Sequence, residues 1–468
     1  MKMGIIFILI FGFILRLINI NQSLWLDETV QAITSKGSFL GLFTELQGDF
    51  HPPLYHLLMW GWAHLFGNGE LVMRLPSVLF GTATIFIVYL IAKKLFAAKS
   101  KWPLIAALFL ATAPFHVYYS QEARPYALVT FLTALSMYFF LKEKWLGYIV
   151  SSVLALYSSY FVLFIILAQG LVILIRKKYS KFLYLLISLL LFLPWLPMFL
   201  TQIEVGRGAT KILPEWGRLV NLSFLKALPL TFIKFSIGRI TIFNKTFYAF
   251  VSAFLLIVYG LILLKGFLKG RKFFIDHLRW VILLWFLIPI VIAWLLSFFI
   301  PNYQPFRLLL VLPAFYLLLA LGISGISSIK IRTMAITFIL LVNLISLGVY
   351  FTNPFFHRED WRGAVNFIEK ESGEKTIALL PSYTSHFPYT YYSQGKVKLI
   401  GVSQEIKPVS EKDLKELNLS GSTTIYYLYY LADLFDPQNL IPNWLESEKF
   451  VKIGEISFNQ IRMQKWAR

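Results

Sequence analysis

Four short stretches hold the side chains best suited to chemistry. SLWLDETVQAI sets two adjacent carboxylates, Asp27 and Glu28, beyond an apolar run that begins at Met3 and is interrupted only by Arg16. GDFHPPLYH supplies Asp49, His51 and His56, with Tyr55 as a supporting polar group. YYSQEARPY supplies Glu122 and Arg124, and PNYQPFR ends in Arg307 at the start of another apolar run. A carboxylate can act as general base on a hydroxyl or amine, typically contributing roughly 10²–10⁴-fold. Guanidinium forks match phosphate oxygens and neutralise charge that develops on a phosphate leaving group. Together these types suit transfer of a group from a phosphate carrier to a nucleophile.

Each residue also has a plainer reading. Asp27 could serve as the N-cap of a helix running through Glu28 to Ser35. Arg74, in MRLPS, reads as a snorkelling anchor ahead of a span. His56 and His64 read as helix-face histidines, and Glu122 and Arg124 could simply pair with each other. Taken singly, these signals are weak. Their force depends on whether the chain brings them to one place.

The elements that must do so are membrane helices. The chain has 468 residues, 57% of them apolar, and apolar runs of about 20 residues recur along it, long enough for a bilayer core. Spans are predicted near 3–20, 76–97, 102–118, 126–141, 146–157, 160–175, 181–201, 246–268, 279–299, 305–325 and 332–352. The expected fold class is mainly α, a polytopic membrane protein of about eleven transmembrane helices. The opening segment reads as a retained first span, since no small-residue cleavage pattern follows it. Cysteine is absent, so disulfides and thiolate metal sites do not arise.

The +20 net charge does not point to nucleic acid, because of where it lies. Residues 353–468 hold 14 bases and 14 acids, leaving 30 bases and 10 acids in residues 1–352. Lys2, Lys93, Lys94, Lys99, Lys101, Lys142, Lys144, Arg176, Lys177, Lys178, Lys181, the basic run 265–279, Lys330 and Arg332 alternate with the spans. This excess predicts a cytoplasmic side, with the N-terminus there and Asp27 and Glu28 outside. The 29-residue apolar run 147–175 would be about 43 Å as one helix. Two short helices with a tight outer turn at YSSY keep both of its basic flanks inside.

Residues 1–352 thus form a transmembrane domain with two large outer loops, 21–75 and 202–245. HPPLYHLLMWGWAHLF predicts an amphipathic helix on the membrane surface, with Pro52 and Pro53 at its start. The second loop strings Arg207, Lys211, Arg218, Lys226, Lys234, Arg239 and Lys245 among Phe, Leu and Trp, which suits anionic headgroups or an anionic substrate. Residues 353–468 alternate helix and strand patterns, predicting a small α/β domain outside: helices at WRGAVNFIEKES and PNWLESEKF, strands at KTIALLP, TTIYYLYYL, KIGEISF and QIRMQKW.

These motifs resemble a known family. LWLDE, DFHPPLYHLL followed by MRLPSVLFG, YYSQEARPYAL and FRLLLVLPAFYLLLALG look like the C-type membrane glycosyltransferases. The resemblance is to the group of dolichyl-phosphate-mannose protein mannosyltransferases (family 39) and their bacterial relatives, including the aminoarabinose transferases of lipid A. It implies inverting transfer of one sugar from a polyprenyl phosphate to a glycolipid, surface glycan or protein at the outer face of a cytoplasmic membrane. Asp27 would then be the catalytic base, with Glu28 beside it. His51 stands where aminoarabinose transferases place a Lys that contacts the donor phosphate, and Arg124 and Arg307 match further phosphate-binding positions. No cofactor is required. A divalent metal is left open by the Asp49-x-His51 pair, which is short of a full ligand set. The large carbohydrate-binding insertions of the eukaryotic mannosyltransferases have no counterpart, which favours a prokaryotic relative.

Two rivals stand beside this. A polymerase or ligase using a diphosphate-linked oligosaccharide would concentrate arginines in a late outer loop, and the basic 202–245 loop fits that. A lipid-linked sugar transporter or flippase would show paired broken spans and internal symmetry, which the sequence does not clearly offer.

Overall fold

The structure is a computed structural model that describes residues 2–97, 99–268, 277–419 and 421–468. Six stretches are long and apolar enough to cross a membrane: Glu70–Leu95, Tyr179–Ile212, Lys245–Lys265, Leu278–Leu296, Pro305–Ser324 and Ile329–Thr352. A seventh is the pair Trp102–Ala111 and Pro114–Ser120, bent by 57° at its break. Four shorter apolar helices complete the bundle: Met3–Leu17, Tyr126–Lys142, Trp145–Leu156 and Val162–Ile175. All eleven predicted segments coincide with one of these stretches, and the chain is a multi-pass membrane protein. Of the predicted basic run 265–279, residues 269–276 lie outside the described residues.

Local chemistry explains the breaks. Pro114 lacks an amide hydrogen and stands at the first turn of its helix, where that loss costs little. The Ala111 carbonyl, left without a helical donor, accepts from Nη1 of Arg16 at 3.2 Å. Arg16 is fully buried and is spent on this joint: Nη1 also donates to Gly12 O at 2.7 Å, Nε to Ser120 Oγ at 3.2 Å, and Nη2 lies 2.6 Å from His116 Nδ1. The charge that interrupts the first apolar run therefore repairs a broken helix. The run 147–175 divides at residues 157–161, and the Tyr157 carbonyl there accepts from Leu54 N, at the start of the next helix to pack against it.

The helix Pro305–Ser324 lies at the centre, buried almost throughout from Leu308 to Ile323. Its Gly322 meets the Ile262 carbonyl so closely that even a methyl group has no room. Beyond the bundle, a five-stranded sheet is built from β1 (Thr376–Ser382), β2 (Lys398–Ser403), β3 (Thr424–Leu428), β4 (Val451–Phe458) and β5 (Ile461–Ala467). The order is β2-β1-β3-β5-β4, parallel across the first three strands and antiparallel across the last three. The helix Trp361–Glu371 covers one face with Trp361, Ala364, Val365 and Ile368, and the helix Leu440–Ser447 covers the other with Ile441 and Leu445.

This tail grips the connection between the first apolar helix and the Asp27 helix. Leu26 packs into the Trp361 cluster, and the Tyr392 hydroxyl accepts from Leu24 N at 2.6 Å. Arg358 N donates to Gln22 Oε1 at 2.8 Å and Arg362 N to Ser23 Oγ at 3.0 Å, while the Arg362 guanidinium pairs with Glu70 at 2.6 Å. Gly322→Ala is expected to force the Ile262 and Gly322 helices apart and lower the melting temperature of the detergent-solubilised protein by several degrees. Gly348→Ala, where an added methyl meets nothing within 4 Å, should leave it unchanged or raise it slightly.

Candidate functional site

The two adjacent carboxylates part company. They lie in the first turn of the helix Leu26–Thr34, whose N-cap is Trp25, so Asp27 is not the cap. Glu28 points inward and is fully buried, whereas the Asp27 side chain is 36% exposed. Glu28 Oε2 pairs with Arg74 Nη2 at 2.5 Å, and its Oε1 accepts from Arg74 Nε at 2.8 Å and from Ala123 N at 2.7 Å. Burial alone would raise the Glu28 pKa, but Arg74 outweighs it and holds the carboxyl below its usual range. Arg74 is no snorkelling anchor. It is 1% exposed, and its remaining donors go to the carbonyls of Ile20, Gln22 and Ser23. With five acceptors arranged around it, a guanidinium need not reach for water.

Arg124 lies one residue beyond Ala123 and meets Asp27, one residue before Glu28. Its Nη2 is 3.4 Å from Asp27 Oδ2 and 3.5 Å from His51 Nδ1. Burial works against its charge, yet Asp27 and then Tyr126, Asp49 and Glu122 raise its pKa above the ordinary value. The expected Glu122–Arg124 pair does not form. Glu122 instead binds Arg358 Nη2 at 3.2 Å, with burial raising its pKa against the pull of Arg358.

Asp49 stands between two imidazoles, with Oδ1 2.7 Å from His51 Nδ1 and Oδ2 3.2 Å from His56 Nε2. A carboxylate beside Nδ1 makes that nitrogen the donor. Burial would raise the Asp49 pKa, but the two histidines carry it well below the usual value. Burial lowers His51, with Asp49 opposing and Arg124 assisting. His56 is thus a buried partner of Asp49, while His64 is an exposed helix-face residue bonded to the Trp60 carbonyl. Tyr55 is fully buried beneath this layer. As a metal site the group does not fit: the two imidazoles take different oxygens of Asp49, and among the described residues no three His, Asp or Glu side chains are arranged to hold an ion.

Arg307 comes from a later connection, at the start of the Pro305–Ser324 stretch. Its Nη1 donates to Asn302 O at 2.8 Å, and its guanidinium lies 5.9 Å from the Phe306 ring centre. Phe306 packs on Tyr126 at 5.2 Å, and the charges of Arg124 and Asp27 both act on Arg307. Among the described residues it makes no ion pair.

Three contributors went unread in the sequence: Arg358, Glu359 and Tyr430, all from the tail. Glu359 accepts from Trp361 Nε1 at 2.8 Å and from the Tyr430 hydroxyl at 3.0 Å. Burial pushes Glu359 up to about 7, and the Asp27 charge adds to the shift. The run HRED right after the last span was the available signal, since charges there abut the membrane edge.

The comparisons with known proteins follow the same lines. Residues 50–198 match the family model described as dolichyl-phosphate-mannose-protein mannosyltransferase. No curated protein sequence matches the chain. Among solved structures, ArnT from Cupriavidus metallidurans in the apo state is similar with a TM-score of 0.59 at 12% identity, covering 99% of this chain and 97% of that one. The same protein bound to undecaprenyl phosphate gives 0.57 at 11% identity, with 99% and 97% covered. The archaeal oligosaccharyltransferase AglB from Archaeoglobus fulgidus, in complex with an inhibitory peptide and a dolichol-phosphate, gives 0.54 at 11% identity, with 92% and 70% covered. The chain has the fold of the C-type membrane glycosyltransferases, as its Asp-Glu, Pro-Pro and arginine motifs led one to expect.

Proposed function

We propose that this protein is an inverting glycosyltransferase that moves one sugar from a polyprenyl phosphate to a hydroxyl or amine at the outer face of a cytoplasmic membrane. The acceptor is a glycolipid, a surface glycan or a protein. The observation that carries this reading is the 3.4 Å approach of Asp27 to Arg124, whose Nη2 also lies 3.5 Å from His51 Nδ1. A half-exposed carboxylate beside a buried guanidinium puts a proton acceptor next to a phosphate binder. As the acceptor oxygen or nitrogen bonds to the anomeric carbon, its proton passes to Asp27. The carbon–oxygen bond to phosphate breaks on the opposite face, and the phosphate leaves with both electrons. Arg124 and Arg307 offset the charge it gains, with His51 completing the phosphate's surroundings. Arg124 need not stay on Asp27 throughout, because a phosphate arriving between them is the stronger partner for the fork.

Two further observations support the setting. Proteins of this fold have been seen with undecaprenyl phosphate and with a dolichol-phosphate, carriers of the chemistry proposed for the donor. The likeness to an oligosaccharyltransferase also keeps a second reading, transfer of a lipid-linked oligosaccharide. The early position of the Asp27–Glu28 pair favours the monophosphate donor. Basic residues cluster at the helix ends remote from Asp27, which supports eleven spans with the tail outside. Glu28 acts at one remove, as the positioning residue that fixes the helix under Asp27.

Asp27→Asn is expected to reduce transfer in native membranes by roughly 10²–10⁴-fold while undecaprenyl phosphate still binds. Normal transfer by this variant, read by mass spectrometry of envelope glycans, would remove the base assignment. Arg124→Gln and Arg307→Gln should each weaken undecaprenyl phosphate binding about tenfold, or about 1.4 kcal/mol, in a thermal-shift titration; unchanged affinity in both would refute the clamp. Arg74→Met strands Glu28 without its counter-charge and should cost about 3–5 kcal/mol of stability. A variant as heat-resistant as the parent would show that the pair is dispensable.

A further inference from the structure

The basic loop 202–245 is not used up by the donor site. One of its cations, Arg239, meets the tail's Arg358 around Tyr118, and a second, Lys234, turns onto the carbonyl of Ile240, the residue next to Arg239. Arg239 Nη1 donates to the Tyr118 hydroxyl at 3.1 Å, and its guanidinium lies 5.0 Å from the Tyr118 ring centre; the Arg358 guanidinium lies 3.9 Å from the same ring. Arg358 also donates from Nη1 to that hydroxyl. Lys234 folds back rather than into solvent, its ammonium donating to the Ile240 carbonyl at 3.3 Å. Glu122 is the carboxylate of the group, and it is already paired with Arg358. Among the described residues no carboxylate lies within ion-pair distance of Lys234 or Arg239.

Two neighbouring cations, Arg239 with a tyrosine hydroxyl and Lys234 with the carbonyl of Ile240 as partners, are an unfinished electrostatic arrangement. A solvated surface charge accounts for an exposed lysine reaching into water, but not for a half-buried one turned onto a carbonyl beside a second cation. Burial and the neighbouring Arg239 pull Lys234 down to about 8. Arg239 is exposed, so the group is open on one side.

We propose that Lys234, Arg239 and Tyr118 form a second anion site, which takes a phosphate-bearing headgroup separate from the donor phosphate. Tyr118 lies in the helix Pro114–Ser120, whose end leads directly into Glu122 and Arg124, and Arg358 bridges Tyr118 to Glu122, so a headgroup held there sits close to the Asp27–Arg124 pair. On the reading of a sugar transfer made above, this headgroup belongs to the acceptor. The anion site itself does not depend on that reading.

The test uses the full-length protein in phosphatidylcholine nanodiscs and three probes: dioctanoyl phosphatidic acid, inorganic phosphate and undecaprenyl phosphate. The double variant Lys234→Gln/Arg239→Gln should bind phosphatidic acid at least about tenfold more weakly and undecaprenyl phosphate within about twofold of the parent. Arg124→Gln should do the reverse. Arg239→Lys, in the Lys234 parent, should recover most of the affinity. If inorganic phosphate competes and shows the same loss, the ligand is a soluble anion; if the lipid alone responds, it is a membrane headgroup. Equal affinity of parent and double variant for phosphatidic acid, or an equal drop for both lipids, would overturn the site. A loss of undecaprenyl phosphate binding in none of the variants would instead count against the donor clamp and leave this site standing.

Discussion

The candidate site depends on one buried carboxylate. Glu28 receives Arg74 on both of its oxygens and the Ala123 amide on one of them, with no water-accessible surface. Removing an acid and a guanidinium from water costs several kcal/mol each, and the pair recovers this only when every remaining donor is met. Here it is met, because Arg74 spends its other hydrogens on three carbonyls of residues 20–23. The consequence is positional. Glu28 bonded to Ala123 forces their neighbours, Asp27 and Arg124, to stand side by side. Two connections 95 residues apart are registered by a single hydrogen bond.

Around that fixed pair the charges sort themselves by exposure. Glu28 and Glu122 are each matched by a buried arginine from elsewhere in the chain, so both serve the scaffold. Asp27 alone of the three stays partly exposed while Arg124 touches it from one side. Asp49, satisfied by two imidazoles, sets the orientation of His51 and leaves little capacity for a metal. The same logic separates the arginines. Arg16 and Arg74 have their hydrogens taken up by backbone and buried partners, whereas Arg307 retains donors beyond its single carbonyl contact.

Much of this was legible in the sequence because membrane burial is written in long stretches. Apolar runs marked the helices, and the division of 147–175 followed from basic flanks at both ends. The tail's strands β1, β3, β4 and β5 followed from β-branched and aromatic alternation. β2 did not, since KLIGVS is a short edge strand flanked by lysine and glycine, with too little period to stand out. Partner choice was harder. Nothing local says that Glu122 prefers Arg358, 236 residues away, to Arg124 two residues on. Arg74 was misjudged for a related reason: a charge ahead of an apolar run looks like an anchor unless the loop that surrounds it is known. Side-chain pairing across a bundle is a property of the packed chain, and spacing does not encode it.

The tail illustrates the same limit and gives it a function in the fold. Segment 21–26 would otherwise be a free loop between the first span and the Asp27 helix, ordered only at its Arg74 end. Arg358, Arg362, Tyr392 and the Trp361 cluster hold it from the opposite side, through Gln22, Ser23, Leu24 and Leu26. A loop clamped at both faces loses most of its conformational freedom, which fixes where the helix that carries Asp27 begins. Glu359 and Tyr430 bond to each other within the field of Asp27, and burial pushes the Glu359 carboxyl up to about 7. It follows that the small sheet domain is part of the site's geometry, because removing it would free the segment that leads into the Asp27 helix and leave Glu122 without Arg358.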